Sequence, residues 1–560
     1  MKVIVAGKAQ VNLNKNDFLA SGGEGQVYVK HHQAFKIYTD PHKMIPVGKI
    51  QELSALSHPS IFKPEHIVTT LKGNPVGFTM KFAKDTVALC QLFTKSFKNR
   101  VGVTPQMTLE LVQKLQEIVA HAHNKGILIV DLNELNFLLS PSLDDVFAID
   151  VDSWQTKSFP ATAIMESIRD RQIKNNKFTE GSDWFSFAVV AFNMFIGVHP
   201  YKGKHPDIKD WQHRMDQNVS VFHPKVSLPK VCLPMDVIPE AYLQWFKAVL
   251  ANGNRTAPPK DLQAVIDIAM AIKKVVGSNN FKISELLQAP DLITDFIIGA
   301  VRAVLTQNKG VIINGKESPG VPGTAKIICL PVRNTVIAAH IENGKLKLHN
   351  ATGRVAIPLD VDASDVMKYD GRLYVKSKDK ILELVFVEAG NNVIASVKLV
   401  ATALEFGSKM FDGVVFQNLL GAQYASIFPK PGTHHQPRIK ELDPYKIVDA
   451  KHERGVLIVV GAKAGKYDKF VIRFAPDYTS YDLRMVPDIS YAGISFTVLD
   501  NGIVVHLTED EKLQLFGKKP GSSNLKEISD SALSGDMKLT SHGVQTMFVQ
   551  GDTVYTIAMP

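Results

Sequence analysis

Residues 1 to about 83 alternate apolar and polar positions with a period of two, the pattern of half-buried strands, broken by one helical stretch near 47–57. From 104 the period lengthens. Apolar residues at 107, 111, 115, 118 and 122 share one helix face, with Thr104 as N-cap, Pro105 in the first turn and Gly126 beyond the end. Two short strand patterns follow around 127–150. "WFSFAVVAFNMFIG", Trp184 to Gly197, is the most apolar segment; it is too short to span a bilayer and reads as a buried core helix. Helical spacing prevails from about 183 to 275. "LITDFIIGAVRAVL" keeps apolar positions 292, 293, 296, 297, 300, 301, 304 and 305, which predicts a helix packed between domains, with Pro290 and Asp291 at its start.

From about 325 short alternating strands predominate, and a weak repeat emerges. "DGRLYV", "DGVVFQ", "RGVLIV", "NGIVVH" and "HGVQTM" place glycines at 371, 413, 455, 502 and 543, in steps of 42, 42, 47 and 41 residues. "NTVIAA" at 334–339 is an earlier copy without the glycine. A turn and a β-rich strand returning every forty-odd residues fit four-stranded propeller blades, five or six of them over 325–560. An irregular β-sandwich is the competing arrangement.

At 560 residues the chain is too long for one ordinary core, so two or three domains are expected. The 64 Lys+Arg against 55 Asp+Glu leave +9, mildly basic, with no basic block that would mark a nucleic-acid tail. Cys90, Cys232 and Cys329 are far apart and odd in number. They form neither a disulfide framework nor a metal spacing and point to a reducing compartment, the cytoplasm. The first residues contain no signal-peptide pattern, and no membrane span is expected.

The candidate chemistry begins at "SGGEGQVYVKHHQAFKIY", where Gly22, Gly23 and Gly25, followed by Val27, allow a tight hairpin whose amides can approach phosphate oxygens. Singly, such glycines are as well explained by a turn. Lys36 lies inside the next apolar strand, costly there unless its ammonium meets an anion. Glu52 follows on the short helix. "GILIVDLNELNFLL" then gives Asp131 and Asn136, and "VFAIDVDSWQ" gives Asp150 at the end of an apolar strand. A carboxylate can orient or deprotonate a hydroxyl, while Asn136 and Asp150 can offer oxygen ligands to Mg²⁺ bridging phosphates.

In this order these residues resemble the protein-kinase fold over roughly 15–270. "QAFK" stands for V-A-I-K, "IVDLNELN" for H-R-D-L-K-x-x-N, and "IDVD" for the metal-holding I-D-F-G. "SDWFSFAVVAFNMFIGVHPY" is similar to the segment from D-V-W-S to T-G-x-x-P-F, and "NRTAPPKDL" to the late R-P-T/S element. The phrases look most like divergent bacterial and phage kinase-like proteins; in a phage the compartment would be the host cytoplasm. The resemblance implies a phosphate clamp of Lys36 held by Glu52, Asp131 as base, and Asn136 and Asp150 on Mg²⁺. It also implies Asp183 bracing the catalytic loop, and Arg255 paired with Glu180. Ile129, Val130, Asn133 and Asp152 depart from the pattern; Asn133 replaces the lysine that steadies the γ-phosphate.

The expected organisation is a two-lobed α+β kinase-like domain over 1–275 (N-lobe about 1–83, C-lobe 84–275). A helical connector over 276–324 and an all-β propeller-like domain over 325–560 follow. The expected activity is ATP- and Mg²⁺-dependent phosphoryl transfer to a protein Ser or Thr, with the β domain recruiting a protein substrate or partner. A nucleotide-binding scaffold without catalysis, or a small-molecule kinase, are the alternatives.

Overall fold

Alternation sets the first layer. Seven strands, β1 (Lys2–Val5), β2 (Ala9–Asn12), β3 (Phe18–Ser21), β4 (Gly25–Lys30), β5 (Gln33–Tyr38), β6 (Ile67–Thr69) and β7 (Pro75–Lys81), form one sheet in the order β2-β1-β6-β7-β5-β4-β3. The short helix α1 (Val47–Leu53) lies between β5 and β6. The computed structural model describes residues 1–7, 9–22, 24–162, 164–260, 278, 280–390, 392–490, 493–517 and 525–558. Gly23 and the end of the helical stretch expected to reach 275 lie outside the described residues.

The second part is helical. Its helices are α2 (Lys95–Val101), α3 (Pro105–Asn124), α4 (Glu180–Ile196), α5 (Trp211–Asp216) and α6 (Glu240–Leu250). Thr104 caps α3 by accepting from the Met107 amide, and Thr179 caps α4 through Ser182. Helix α4 is apolar on nearly every side and forms the centre of the main core with α3 and α6. Against it lies a small sheet of β8 (Val87–Ala88), β9 (Phe137–Leu139) and β10 (Val146–Ala148).

The all-β region starts earlier than the repeat suggests. The segment expected as a helical connector is extended: β11 (Lys282–Gln288) is followed by strands Ile293–Ile297, Ala303–Thr306, Gly310–Ile313 and Lys316–Ser318. The stretch expected as one helix, 292–305, is two antiparallel strands, with Ile297 opposite Ala303. Strands buried on both faces read as continuous apolar runs, which imitate a helix face. The β-branched residues and Gly299 decide for strands and a turn.

Among the described residues the region holds seven small antiparallel sheets: six within 325–560, the last of them completed by β11, and one before it. Six follow in chain order over 293–318, 326–357, 365–402, 408–427, 446–486 and 495–529. The seventh joins β11 to Lys538–His542, Gln545–Gln550 and Thr553–Ala558, so the first strand of the region pairs with the last. The repeated glycines at 371, 413, 455 and 502 occupy the turn after the first strand of four of these sheets, and Gly543 the turn between Lys538–His542 and Gln545–Gln550. At Asp370–Gly371 and Arg454–Gly455 both turn residues have positive φ, the geometry of a tight hairpin.

The β region is welded to the helical lobe. Val448, Val460, Ala462 and Ile489 belong to the same apolar cluster as α3, α4 and α6. Gln91 Nε2 donates to Val448 O at 2.8 Å, Lys95 pairs with Asp536 at 2.8 Å, and Trp211 Nε1 donates to Asp488 at 3.2 Å. Cutting the chain at 325 strips away one whole sheet and leaves Thr553–Ala558 of another without its partner β11. A fragment 325–560 should therefore unfold without a cooperative urea transition, whereas 278–560 retains one; equal cooperativity of the two would contradict the strand closure.

Candidate active site

The pleat of β5 sorts its side chains. Phe35 and Ile37 join the outer core of the first sheet, while Lys36 and Tyr38 point to the opposite face, toward the helical lobe. There Lys36 is 8% exposed. A buried ammonium needs anions, and it finds them in chain more than a hundred residues away. Its Nζ lies 2.8 Å from Asp150 Oδ1, 2.6 Å from Asp152 Oδ2 and 3.8 Å from Glu24 Oε2. Tyr38 donates its hydroxyl to the same Asp152 oxygen at 2.7 Å. Burial pulls the ammonium's pKa down, but Asp152 and Asp150 outweigh it and hold the group charged, above its ordinary value. Glu24 has its carboxyl pushed up by burial, against the pull of Lys36.

The expected pair of Lys36 with Glu52 is not formed. Helix α1 is two turns long and buries Lys49, Ile50 and Leu53, which turns Glu52 outward. Glu52 instead accepts from the Ser158 amide at 3.1 Å, and hydrogen bonds from Ser158 and Thr156 lower its pKa. Lys49 faces inward, its Nζ donating to Pro160 O at 3.3 Å; burial pushes its pKa down, offset in part by Asp152 and Glu24. The anchor of Lys36 is thus Asp152, at the place where a glycine is usual. Sequence reading passes it over because its partner is remote, although Tyr38, two residues past Lys36, shares its face.

Asp131 and Asn136 sit together in the loop before β9. Asn136 Nδ2 donates to the Asp131 backbone oxygen at 3.1 Å and to its Oδ2 at 3.2 Å. Burial raises the Asp131 pKa, against the lowering by the Met165 amide and by Asn133 and Asn136. Asn133 is buried, its Oδ1 accepting from the Leu135 amide at 2.9 Å, so it shapes the loop. Val130 has φ +63, rare for a β-branched residue and costing about 1–3 kcal/mol. Asp183, fully buried on α4, holds it there: its carboxylate accepts from the Ile129 amide at 2.8 Å and the Val130 amide at 2.9 Å, with His123 Nε2 at 3.0 Å.

Arg255 does not pair with Glu180. Its guanidinium grips Asp170 through two hydrogen bonds of 2.7 Å and lies over the Phe185 ring at 4.4 Å. Glu180, in the first turn of α4, has its Oε2 3.9 Å from His123 Nδ1. At the other end of the site, the Gly22 amide donates to Gly25 O at 2.8 Å, closing the hairpin between β3 and β4. A Cβ on Gly25 would stand 2.5 Å from Ile37 O, so only glycine lets β4 run this close to β5. Val27 is opposite Lys36 in the ladder.

Four carboxylates, from Glu24, Asp131, Asp150 and Asp152, gather here against two amino groups, from Lys36 and Lys49. Asp150 has φ +58 and a side chain 43% exposed, so it can turn from Lys36 to a cation. Among the described residues no three His, Cys, Asp or Glu side chains form a ready metal cage. Mg²⁺ does not require one: it is bound by one or two carboxylates together with phosphates, and Asp150 with the Asn136 amide oxygen fits that demand.

No family model matches the chain. Ribosomal protein S6 kinase alpha-3 of mouse and of human are each 26% identical to it over 149 residues, 26% of this chain and 19% of theirs. The chain therefore spans about a fifth of the length of these curated relatives, and the likeness is to part of a protein kinase. Among the described residues no helix is long and apolar enough to cross a membrane.

The geometry separates the two acidic partners on offer to Lys36. Asp152→Ala strands much of a buried ammonium and should lower stability by about 3 kcal/mol, the lower end for breaking a buried pair because Asp150 remains. Glu52→Ala should leave the urea midpoint unchanged. Equal losses in the two variants would return the anchoring role to α1.

Proposed function

We propose that the part of the chain before β11 is an ATP- and Mg²⁺-dependent phosphotransferase that moves a γ-phosphoryl group to a protein hydroxyl. The observation that carries this is the meeting of Lys36 with Asp150 beside the Asp131–Asn136 pair, brought together from three separate segments. The partial likeness to a ribosomal S6 kinase supports the same reading.

In this reading Lys36, kept charged and fixed by Asp152 and Tyr38, holds phosphate oxygens. Amides of the Gly22–Gly25 hairpin approach the same phosphates from above. Asp150 and Asn136 would hold Mg²⁺, which neutralises charge developing on the phosphates. Asp131 orients the acceptor hydroxyl and takes its proton, helped by a pKa raised through burial. Asp183 keeps the loop in place through the strained Val130. In this reading the catalytic contribution of these residues is positioning and charge neutralisation.

We read the seven sheets of the second part as blades of a β-propeller. The sequential meanders, four-stranded except for the three strands over 408–427, and the pairing of β11 with Thr553–Ala558 support it. Such a region offers loops for a protein substrate or partner. A second reading, a nucleotide-binding scaffold, is favoured by Asn133, which stands in place of a lysine, is fully buried and bonds within its own loop, to Leu135 and Asp131.

Turnover of ATP by wild type, Lys36→Ala and Asp131→Asn distinguishes them. The kinase reading predicts that Lys36→Ala loses Mg·ATP binding or turnover. It also predicts that Asp131→Asn keeps binding but loses roughly 10²–10⁴-fold in rate. Wild-type turnover no faster than that of Asp131→Asn would leave the scaffold.

A further inference from the structure

The acceptor side of Asp131 is covered. The Met165 amide donates to Asp131 Oδ1 at 2.8 Å, while Asn136 occupies Oδ2. An acceptor hydroxyl must come within hydrogen-bond reach of that carboxylate; with one N–H already on each oxygen and Asp131 only 8% exposed, the chain around Met165 leaves the hydroxyl no open approach. Met165 belongs to the segment that follows Asp150, and its side chain rests half-buried against the core of the helical lobe.

The β region and the helical lobe hold this segment between them. The turn at Ala464–Gly465, between strands Val456–Lys463 and Lys466–Phe474, presses on it. A Cβ at Gly465 would stand 3.0 Å from Ser167 Oγ and 3.2 Å from Met165 Sδ, so the turn is packed directly on these two side chains. From the other side, the Ser167 carbonyl is held by His199 Nε2 at 2.8 Å. Just past the turn, the Tyr467 hydroxyl donates to Glu134 in the loop that carries Asp131. Lys446, from the neighbouring strand, donates to Leu135 O of the same loop at 3.0 Å. One hairpin of the β region and its neighbour thus touch both the catalytic loop and the chain that caps its carboxylate.

We propose that this hairpin is an autoinhibitory latch: it holds Met165 on Asp131 and keeps the acceptor side shut until the β region shifts away from 165–167. The proposal rests on Asp131 being the catalytic carboxylate. It makes the docking of the β region the control over activity, acting on acceptor access and leaving the nucleotide side around Lys36 untouched.

Two variants in the full chain test it. Gly465→Asn keeps the turn, because Asn tolerates the left-handed conformation found at φ +74, and wedges a side chain against Met165 and Ser167. Tyr467→Phe removes the bond to Glu134 at nearly constant volume. Amide hydrogen exchange at Met165 should quicken about tenfold in each, and phosphotransfer should rise by a similar roughly tenfold factor with Mg·ATP affinity unchanged. Unaltered protection of Met165 in both variants overturns the latch, and so does faster exchange without a gain in rate when the wild type is active. If neither wild type nor variants turn over ATP, the kinase reading fails and autoinhibition is overturned with it; faster exchange then shows only that the hairpin holds Met165 down.

Discussion

One buried charge organises the first half of this protein. An ammonium inside the strand β5 is tolerated only if carboxylates reach it, and the nearest ones lie in the segment after β10. The sheet and the helical lobe must close on each other to bring them there. The same closure sets the residues of the candidate site in register: Asp152 stays buried with Lys36 and Tyr38, and Asp150 stays half open toward the cleft. Breaking such a pair costs more than forming it gains, so the contact works as a device for specific geometry more than for net stability.

The other fixed points serve the loop that carries Asp131. Fully buried Asp183 spends both carboxylate oxygens on two backbone amides and thereby holds Val130 in a conformation it would otherwise avoid. The β region adds Tyr467 and Lys446 from the outside. Because Val448, Val460, Ala462 and Ile489 complete the apolar core of the helical lobe, the two parts form one packed unit whose contact surface runs beside the loop that carries Asp131.

Much of this was legible along the chain, and the exceptions share a cause. Helix α3, the apolar α4 and the strand bearing Lys36 follow from local period and caps, which depend on near neighbours. The repeated turn glycines marked the sheets, though two sheets' strands before 325 were hidden because doubly buried strands and a helix share an apolar run. Partners of charged groups were harder. Glu52 was a reasonable partner for Lys36 by order, yet the rotation of a two-turn helix decides which side chain faces in, and here it is Lys49. Arg255 likewise chose Asp170 over Glu180, a matter of where an irregular segment folds back. Asp152 could have been suspected from its spacing of two from Asp150, since both flank a single turn.

The central claim is that Lys36, Asp150, Asn136 and Asp131 form one site for a metal nucleotide. Crystals grown with Mn²⁺ and a non-hydrolysable ATP analogue test it most directly, because manganese gives an anomalous signal. The account predicts a manganese peak bound by Asp150 and Asn136, phosphate oxygens on Lys36, and Asp152 still joined to Lys36 and Tyr38. A nucleotide bound elsewhere, or one in the cleft with Lys36 still closed on Asp150 and no metal there, would contradict it.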